Sequence, residues 1–207
     1  EVSLCSCLRE EYHEEDTDKK LPHVAFSLPV ISSPMDTVTG REMAIAMSDA
    51  GGLGIIHRYC SIEEQVEMVK PKELEEGLFR SLSKSMVPTG KLNPEHPWLS
   101  ATKYDIRHPA AAIGVTGDYM ERAQELVSND CNILCIDVAH GHHISVKKAI
   151  KALKKKFDDR VILIAGNVAT AGGYEALSRW GADAVRIGIG GGSICSTRIQ
   201  TGHGVPT

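Results

Sequence analysis

The residues best equipped for chemistry lie close to the end of the sequence, in Gly188-Ile-Gly-Gly-Gly-Ser-Ile-Cys-Ser-Thr-Arg198. Glycines so closely spaced permit positive φ and let a backbone approach a ligand without Cβ atoms in the way. Successive N–H groups, joined by the Ser193 hydroxyl, form a nest suited to a phosphate, and carbonyls of the same loop can face a monovalent cation. Cys195, on the far side of that nest, is placed to reach the rest of a bound molecule. A thiolate in positive potential is a strong nucleophile, so attack on an electrophilic carbon is the chemistry to expect. The plainer alternative is a tight glycine turn beside a small buried thiol.

Such a loop needs strands and helices to hold it. From residue 29 the chain alternates short apolar runs with amphipathic stretches. The runs are Pro29–Ser32, Leu53–His57, Ala110–Val115, Ile133–Asp137, Val161–Ala165 and Ala184–Ile189. All are β-branched or small-apolar with little polar alternation, as parallel strands covered on both faces should be. Helices are expected over Arg41–Asp49, Ile62–Val69, Asp118–Ser128, Ser145–Phe157 and Gly173–Trp180. Within Ser145–Phe157 the residues Val146, Ile150, Leu153 and Phe157 recur at helical spacing with lysines opposite, which puts that helix on the outside of a sheet. Polar or glycine-rich loops follow nearly every strand. This favours a closed (β/α)8 TIM barrel, whose site gathers all its loops on one rim, over an open doubly wound sheet. About six of the eight βα units are present, so the barrel domain at 29–207 is incomplete at its C-terminal side. Residues 1–28, with the acidic run Glu10–Asp18, read as a loosely packed N-terminal arm, and proline-rich 70–108 as an irregular segment.

The 207 residues suffice for one sizeable core, and a net charge of −4 offers no electrostatic case for nucleic acid or an anionic membrane. No apolar run is long enough for a membrane span, and residues 1–20 are too charged for a signal peptide. Six cysteines without a CxxC pair point to a reducing cytoplasm rather than a disulfide framework or zinc site.

The cysteine loop, together with Gly-His-Gly-Val-Pro (202–206) and Ser-Ser-Pro-Met-Asp-Thr-Val-Thr (32–39), resembles the IMP dehydrogenase and GMP reductase family. Also similar are Gly-Gly-Leu-Gly-Ile-Ile-His-Arg (51–58), Asp-Val-Ala-His-Gly-His (137–142) and Ala-Gly-Asn-Val-Ala-Thr (165–170), in the family's order. The resemblance spans residues 29–69 and 110–207. It implies a (β/α)8 barrel in which Cys195 adds to purine carbon 2 while hydride passes between that carbon and a nicotinamide. Thr197 would touch the base or assist proton movement. Ser33, Gly192 and Ser193 would hold the nucleotide phosphate, and Met35 would pack near the base. Asp137, Asn167 and Arg186 would serve the NAD side, and carbonyls of Gly190, Gly192 and Cys195 would bind potassium. IMP or GMP is the implied small-molecule substrate, and a homotetramer the implied assembly.

Simpler readings stand beside these. Asp137 could cap a turn, Asn167 could be a turn residue, and Arg186 could form an ordinary ion pair at the barrel edge. His140, His142 and His143 have the look of a metal cluster, yet the resemblance makes them loop residues. Cys60, Cys131 and Cys135 read as core or near-core thiols. Family members continue into two more strands, and dehydrogenases usually carry a CBS module where residues 70–108 stand, a segment too short to hold one. The segments 61–69 and 111–119 resemble dehydrogenases, whereas Asp-Val-Ala-His-Gly leans towards reductases. An NAD-dependent IMP dehydrogenase is the preferred expectation. An NADPH-dependent GMP reductase and a non-catalytic nucleotide-binding regulatory relative are the alternatives.

Overall fold

The computed structural model describes residues 6–7, 25–26, 28–70, 110–193 and 195–205. Most of the N-terminal arm and nearly all of the 70–108 segment lie outside these residues. Within the arm, β1 (Ser6–Cys7) and β2 (Ala25–Phe26) pair antiparallel, a short ladder in a region expected to be irregular.

The remaining strands are β3 (Ile31–Ser32), β4 (Leu53–Ile56), β5 (Ala110–Ile113), β6 (Ile133–Asp137), β7 (Ile162–Val168) and β8 (Ala184–Ile187). They form one six-stranded sheet in sequential order, every pairing parallel. Between them run α1 (Arg41–Asp49), α2 (Ile62–Val69), α3 (Tyr119–Ser128), α4 (Ile144–Phe157) and α5 (Ala171–Trp180). The expected helices are all present, α1 and α2 with the expected bounds. Strand ends differ more. Three strands stop earlier than their apolar runs, at Ile56, Ile113 and Ile187, because the C-terminal residues of each run turn away into the loops of the mouth.

Helix ends carry local signals. Ser61 opens α2 with a capping box: its hydroxyl accepts from the Glu64 amide at 3.1 Å while Glu64 Oε2 accepts from the Ser61 amide at 2.9 Å. Thr170 caps α5, which ends at Gly181 with φ 112°, a left-handed position that glycine adopts freely. In α4 the stripe Val146, Ala149, Ile150, Leu153 and Phe157 is buried and the last turn is Lys154–Lys156, as its periodicity predicts.

Side-chain alternation along the strands separates two apolar layers. Leu53, Ile55, Ala110, Ala112, Ile133, Cys135, Ile162 and Ile164 pack together on the concave face. Ile56, Ala111, Ile113, Leu134, Ile136, Leu163 and Ala165 face the helices. Contact across the concave face means that the sheet curls. Ile31, Ser32 and Ser33 at one edge and Ala184, Val185 and Arg186 at the other line a common cavity of about 160 Å³. Six strands in order, curled with helices outside, are a partial (β/α)8 barrel. Gly54 permits the close seating of α1 on β4, since a Cβ there would stand 2.4 Å from the Ala44 Cα.

Candidate active site

The site is the C-terminal rim of the sheet, where parallel barrels collect their loops. The cysteine loop leaves β8 and folds back on its own first residues. Ile189 and Val205 form an antiparallel bridge, with the Val205 amide donating to the Ile189 carbonyl at 2.9 Å. Gly188 and Gly190 take φ of 113° and 70°, so the expected use of glycine here is structural fact. After the cysteine, Thr197–Thr201 forms a short helix, α6, which periodicity over five residues could not have disclosed.

Cys195 is half-buried rather than sunk in the core, and its amide donates to the Gly192 carbonyl at 3.1 Å. Hydrogen bonds from the Thr197 side chain and backbone, with Arg198 as a lesser electrostatic influence, hold its thiol below the ordinary cysteine range. Cys131 and Cys135 behave oppositely: complete burial pushes each up to about 12. Cys60 is also raised by burial, against the pull of Arg122. Of these four cysteines, only Cys195 has its pKa lowered. That contrast separates it from the core thiols.

Arg198 staples the loop, a role that sequence reading missed. Its aliphatic stem runs between Gly190 and Gly204, where added Cβ atoms would stand 2.7 Å and 2.5 Å from its Cγ. Its guanidinium donates to the Gly192 carbonyl at 3.2 Å. That carbonyl therefore accepts from both Cys195 and a cationic group. A potassium ion held by the carbonyls of Gly190, Gly192 and Cys195 does not fit this arrangement while Arg198 stays in place.

Opposite the cysteine loop, Ser33 lines the cavity and Met35 is exposed. Thr39 fixes this turn from beneath. It is fully buried, donates to the Ser33 carbonyl at 2.6 Å and shares a hydrogen bond with the Ser32 hydroxyl at 2.9 Å. Gly192 and Ser193 are exposed, as a ligand-facing lip should be.

Asp137 and Arg186 form an ion pair between the ends of β6 and β8, both partly buried. Alternation puts them on the concave face, with Cys135 Sγ 3.9 Å from Arg186 Nη1. One carboxylate oxygen of Asp137 is committed to Arg186 through Oδ1, leaving Oδ2 able to accept from a ligand hydroxyl. Gly166 makes room for this pair, because a Cβ there would meet the Arg186 Cβ at 2.6 Å. Asn167 is more than a turn residue. Its side-chain amide donates to the Gly188 carbonyl at 2.7 Å, and its backbone carbonyl accepts from Gly141 at 2.7 Å. It thereby joins the loop after β6 to the start of the cysteine loop.

The three histidines diverge. His143 caps α4 by accepting from the Ser145 amide, His142 lies against Trp180, and His140 stacks on His203 with centroids 5.1 Å apart. Among the described residues no three His, Cys, Asp or Glu side chains converge on a metal position.

Behind the rim a second polar network joins the loops after β4 and β5. Arg122, 6% exposed, donates to Asp118 at 2.8 Å, Gln65 at 2.9 Å, the Cys60 carbonyl at 3.0 Å and the Ser61 carbonyl at 3.3 Å. Gln65 passes the connection to the carbonyls of Ala112 and His57. A lone arginine in an amphipathic helix gives no sequence sign of such a role.

Fold and site together define a (β/α)-barrel protein whose glycine-cradled, activated cysteine lies on the functional rim. The sequence pattern of the IMP dehydrogenase / GMP reductase domain matches residues 9–207, and the chain belongs to that family. It is 35% identical to an inosine-5'-monophosphate dehydrogenase of Borreliella burgdorferi, over 89% of this chain and 50% of the relative. Identity to the enzyme of the same name from Cryptosporidium parvum is 37%, over 91% of this chain and 49% of the relative. For that of Nitrosopumilus maritimus it is 29%, over 92% and 60%. The chain thus spans about half the length of these relatives. Among the described residues no helix is long and apolar enough to cross a membrane.

Proposed function

We propose that this chain is the cysteine-bearing portion of an IMP dehydrogenase, which oxidises IMP to XMP with NAD through a covalent adduct at Cys195. The observation that carries this reading is a partly exposed, acidified thiol held by Thr197 on the barrel rim. The relatives described above bear the dehydrogenase name, which favours this direction over GMP reduction.

Cys195 Sγ, as thiolate, would form a bond to purine carbon 2. The hydride that carbon 2 gives up would pass to NAD, whose part is to accept it. Water would then add to the same carbon and give up a proton to solvent, the carbon–sulfur bond would break, and XMP would leave with the thiolate restored. Thr197 would steady the anionic sulfur at the start and the end of this cycle. Ser33 and Ser193, with Gly192 of the nest, would bind the nucleotide phosphate, and Met35 would lie against the base. Asp137 would offer its second carboxylate oxygen to a ribose hydroxyl of the dinucleotide, with Arg186 holding the carboxylate ionised and oriented. Asn167 would keep the cysteine loop in register with the Asp137 loop. Potassium would require Arg198 to leave Gly192, and no step depends on it. A homotetramer in the cytoplasm completes the proposal, with light scattering as the check on assembly.

The test uses a full-length protein. IMP with NAD should yield NADH, and Cys195→Ser should be silent. Consumption of GMP with NADPH instead would reassign the direction. Activity with neither pair would leave only a nucleotide-binding relative and end the enzyme reading. A purine ribonucleotide with a leaving group at carbon 2 should label Cys195 alone among the six cysteines. Labelling at Cys60 or Cys135 would count against the site.

A further inference from the structure

Arg58 stands just beyond the end of β4, in a motif to which no role has so far been attached. Its Nε is buried and has no hydrogen-bond partner among the described residues. Every other described arginine donates to at least one oxygen: Arg41, Arg122, Arg160, Arg179, Arg186 and Arg198. Native folds seldom leave a buried N–H of a charged group unanswered, and such an exception asks for a missing partner.

The surroundings say what that partner should be. The Arg58 Nη1 and Cζ lie 3.7 Å and 3.9 Å from where a Cβ of Gly114 would be. Gly114 follows β5, where Ala110 and Ala112 belong to the concave layer and Ala111 and Ile113 to the helix-facing layer. Arg58 and Gly114 both lie just beyond the ends of paired neighbouring strands, so the guanidinium stands at the C-terminal rim between β4 and β5. The Tyr59 ring stands 5.3 Å from Cζ, which braces the group against one face. No carboxylate among the described residues pairs with it. A fixed guanidinium with free donors and no counter-charge is a receptor for phosphate oxygens.

We propose that Arg58 is an anion-recognition residue of the rim, donating Nε–H and a neighbouring Nη–H to a phosphate group of a ligand bound at the β4–β5 side of the mouth. In a closed eight-stranded barrel the second and sixth strands of the series, here β4 and β8, stand on opposite sides. Arg58 therefore stands across the mouth from Ser193 but on the strand next to that of Ser33. Resting on the proposed function, the group bound is a nucleotide phosphate, carried either by the dinucleotide or by the substrate.

The experiment follows the arginine Nε–H resonances of the isotopically labelled full-length protein by NMR. Inorganic pyrophosphate should shift the Arg58 resonance saturably, with Arg160 and Arg179 as exposed references. In Arg58→Gln the Gly114 amide should report binding about tenfold weaker or more, the usual loss for a charge-assisted contact. Arg58→Lys keeps the charge without the fork and should bind with intermediate affinity. ADP and IMP separate the sources: the stronger response identifies which ligand's phosphate is bound, and either supports the contact. An Arg58 resonance that moves no more than the references, with all these probes, overturns the inference whether or not any variant folds. Failure of Cys195 labelling alongside a saturable Arg58 shift would sink the dehydrogenase reading and leave the anion site standing.

Discussion

Replacing Gly190 by alanine should disable Cys195 without unfolding the barrel. Gly190 has φ 70°, where an L residue costs about 1–2 kcal/mol. The new Cβ would lie 2.7 Å from Arg198 Cγ against an ordinary 3.4 Å, a deficit of about 0.7 Å. Arg198 cannot retreat towards Gly204, which crowds it from the other side. It must swing outward and release the Gly192 carbonyl, an exposed contact worth about 0.5–1.5 kcal/mol. The total, about 1.5–3.5 kcal/mol, shifts the loop roughly 10- to 300-fold towards open forms. Cys195 then loses the hydrogen bonds and the nearby charge that acidify it. The assay is the iodoacetamide alkylation rate of the Cys195 peptide, measured by mass spectrometry across pH. The midpoint should rise towards the ordinary value of 9.0. The urea midpoint should barely move, because bonds that tie the loop to the barrel, from Asn167 to the Gly188 carbonyl and from the Gly188 amide to Val168, lie before Gly190. Gly172→Ala, whose Cβ meets nothing within 4 Å, is the control. An unchanged Cys195 pH profile in Gly190→Ala would refute this account of the loop.

Further tests address the thiols and the scaffold. In the native protein Cys195 should alkylate with a midpoint below 9.0, because its pKa is lowered and its thiolate persists to more acid pH. Thr197→Val should raise that midpoint, and an unmoved profile would discard Thr197 as the cause. Cys131 and Cys135, pushed up to about 12 by burial, should react only after unfolding, and labelling of native protein there would contradict their placement. Arg122→Met should lower unfolding stability by about 2–4 kcal/mol in urea titrations, since buried oxygens lose their donor while half-exposed Asp118 adds little. A loss under about 1 kcal/mol would show the network to be slack. Gly54→Ala should destabilise by about 1–3 kcal/mol by wedging α1 off β4, and circular dichroism melts at the wild-type temperature would refute that packing.

Recognition of the barrel from sequence worked where the signal was local. Apolar positions in α4 recur at helical spacing whatever surrounds the helix, and its buried stripe is the one that spacing predicts. The cysteine loop was legible for a related reason: four glycines, Ser193, Cys195 and Thr197 sit within one contiguous stretch, so their chemistry could be read side by side. Strand ends were less legible. Composition continues through His57 and Val115, yet the ladders stop at Ile56 and Ile113, where the loops of the rim begin.

By itself the sequence determined the βα rhythm, the outward lysine face of α4 and the identity of the nucleophile's loop, since each depends on residues a few positions apart. Tertiary structure alone decided which charges meet. Arg186 finds Asp137 at a separation of 49 residues, and Arg122 reaches Gln65 and the carbonyl of Cys60 at 57 and 62. Arg58, by contrast, is left unmatched at the mouth. Spacing cannot foretell such pairings, because they arise only when the sheet curls and sets the ends of distant strands side by side.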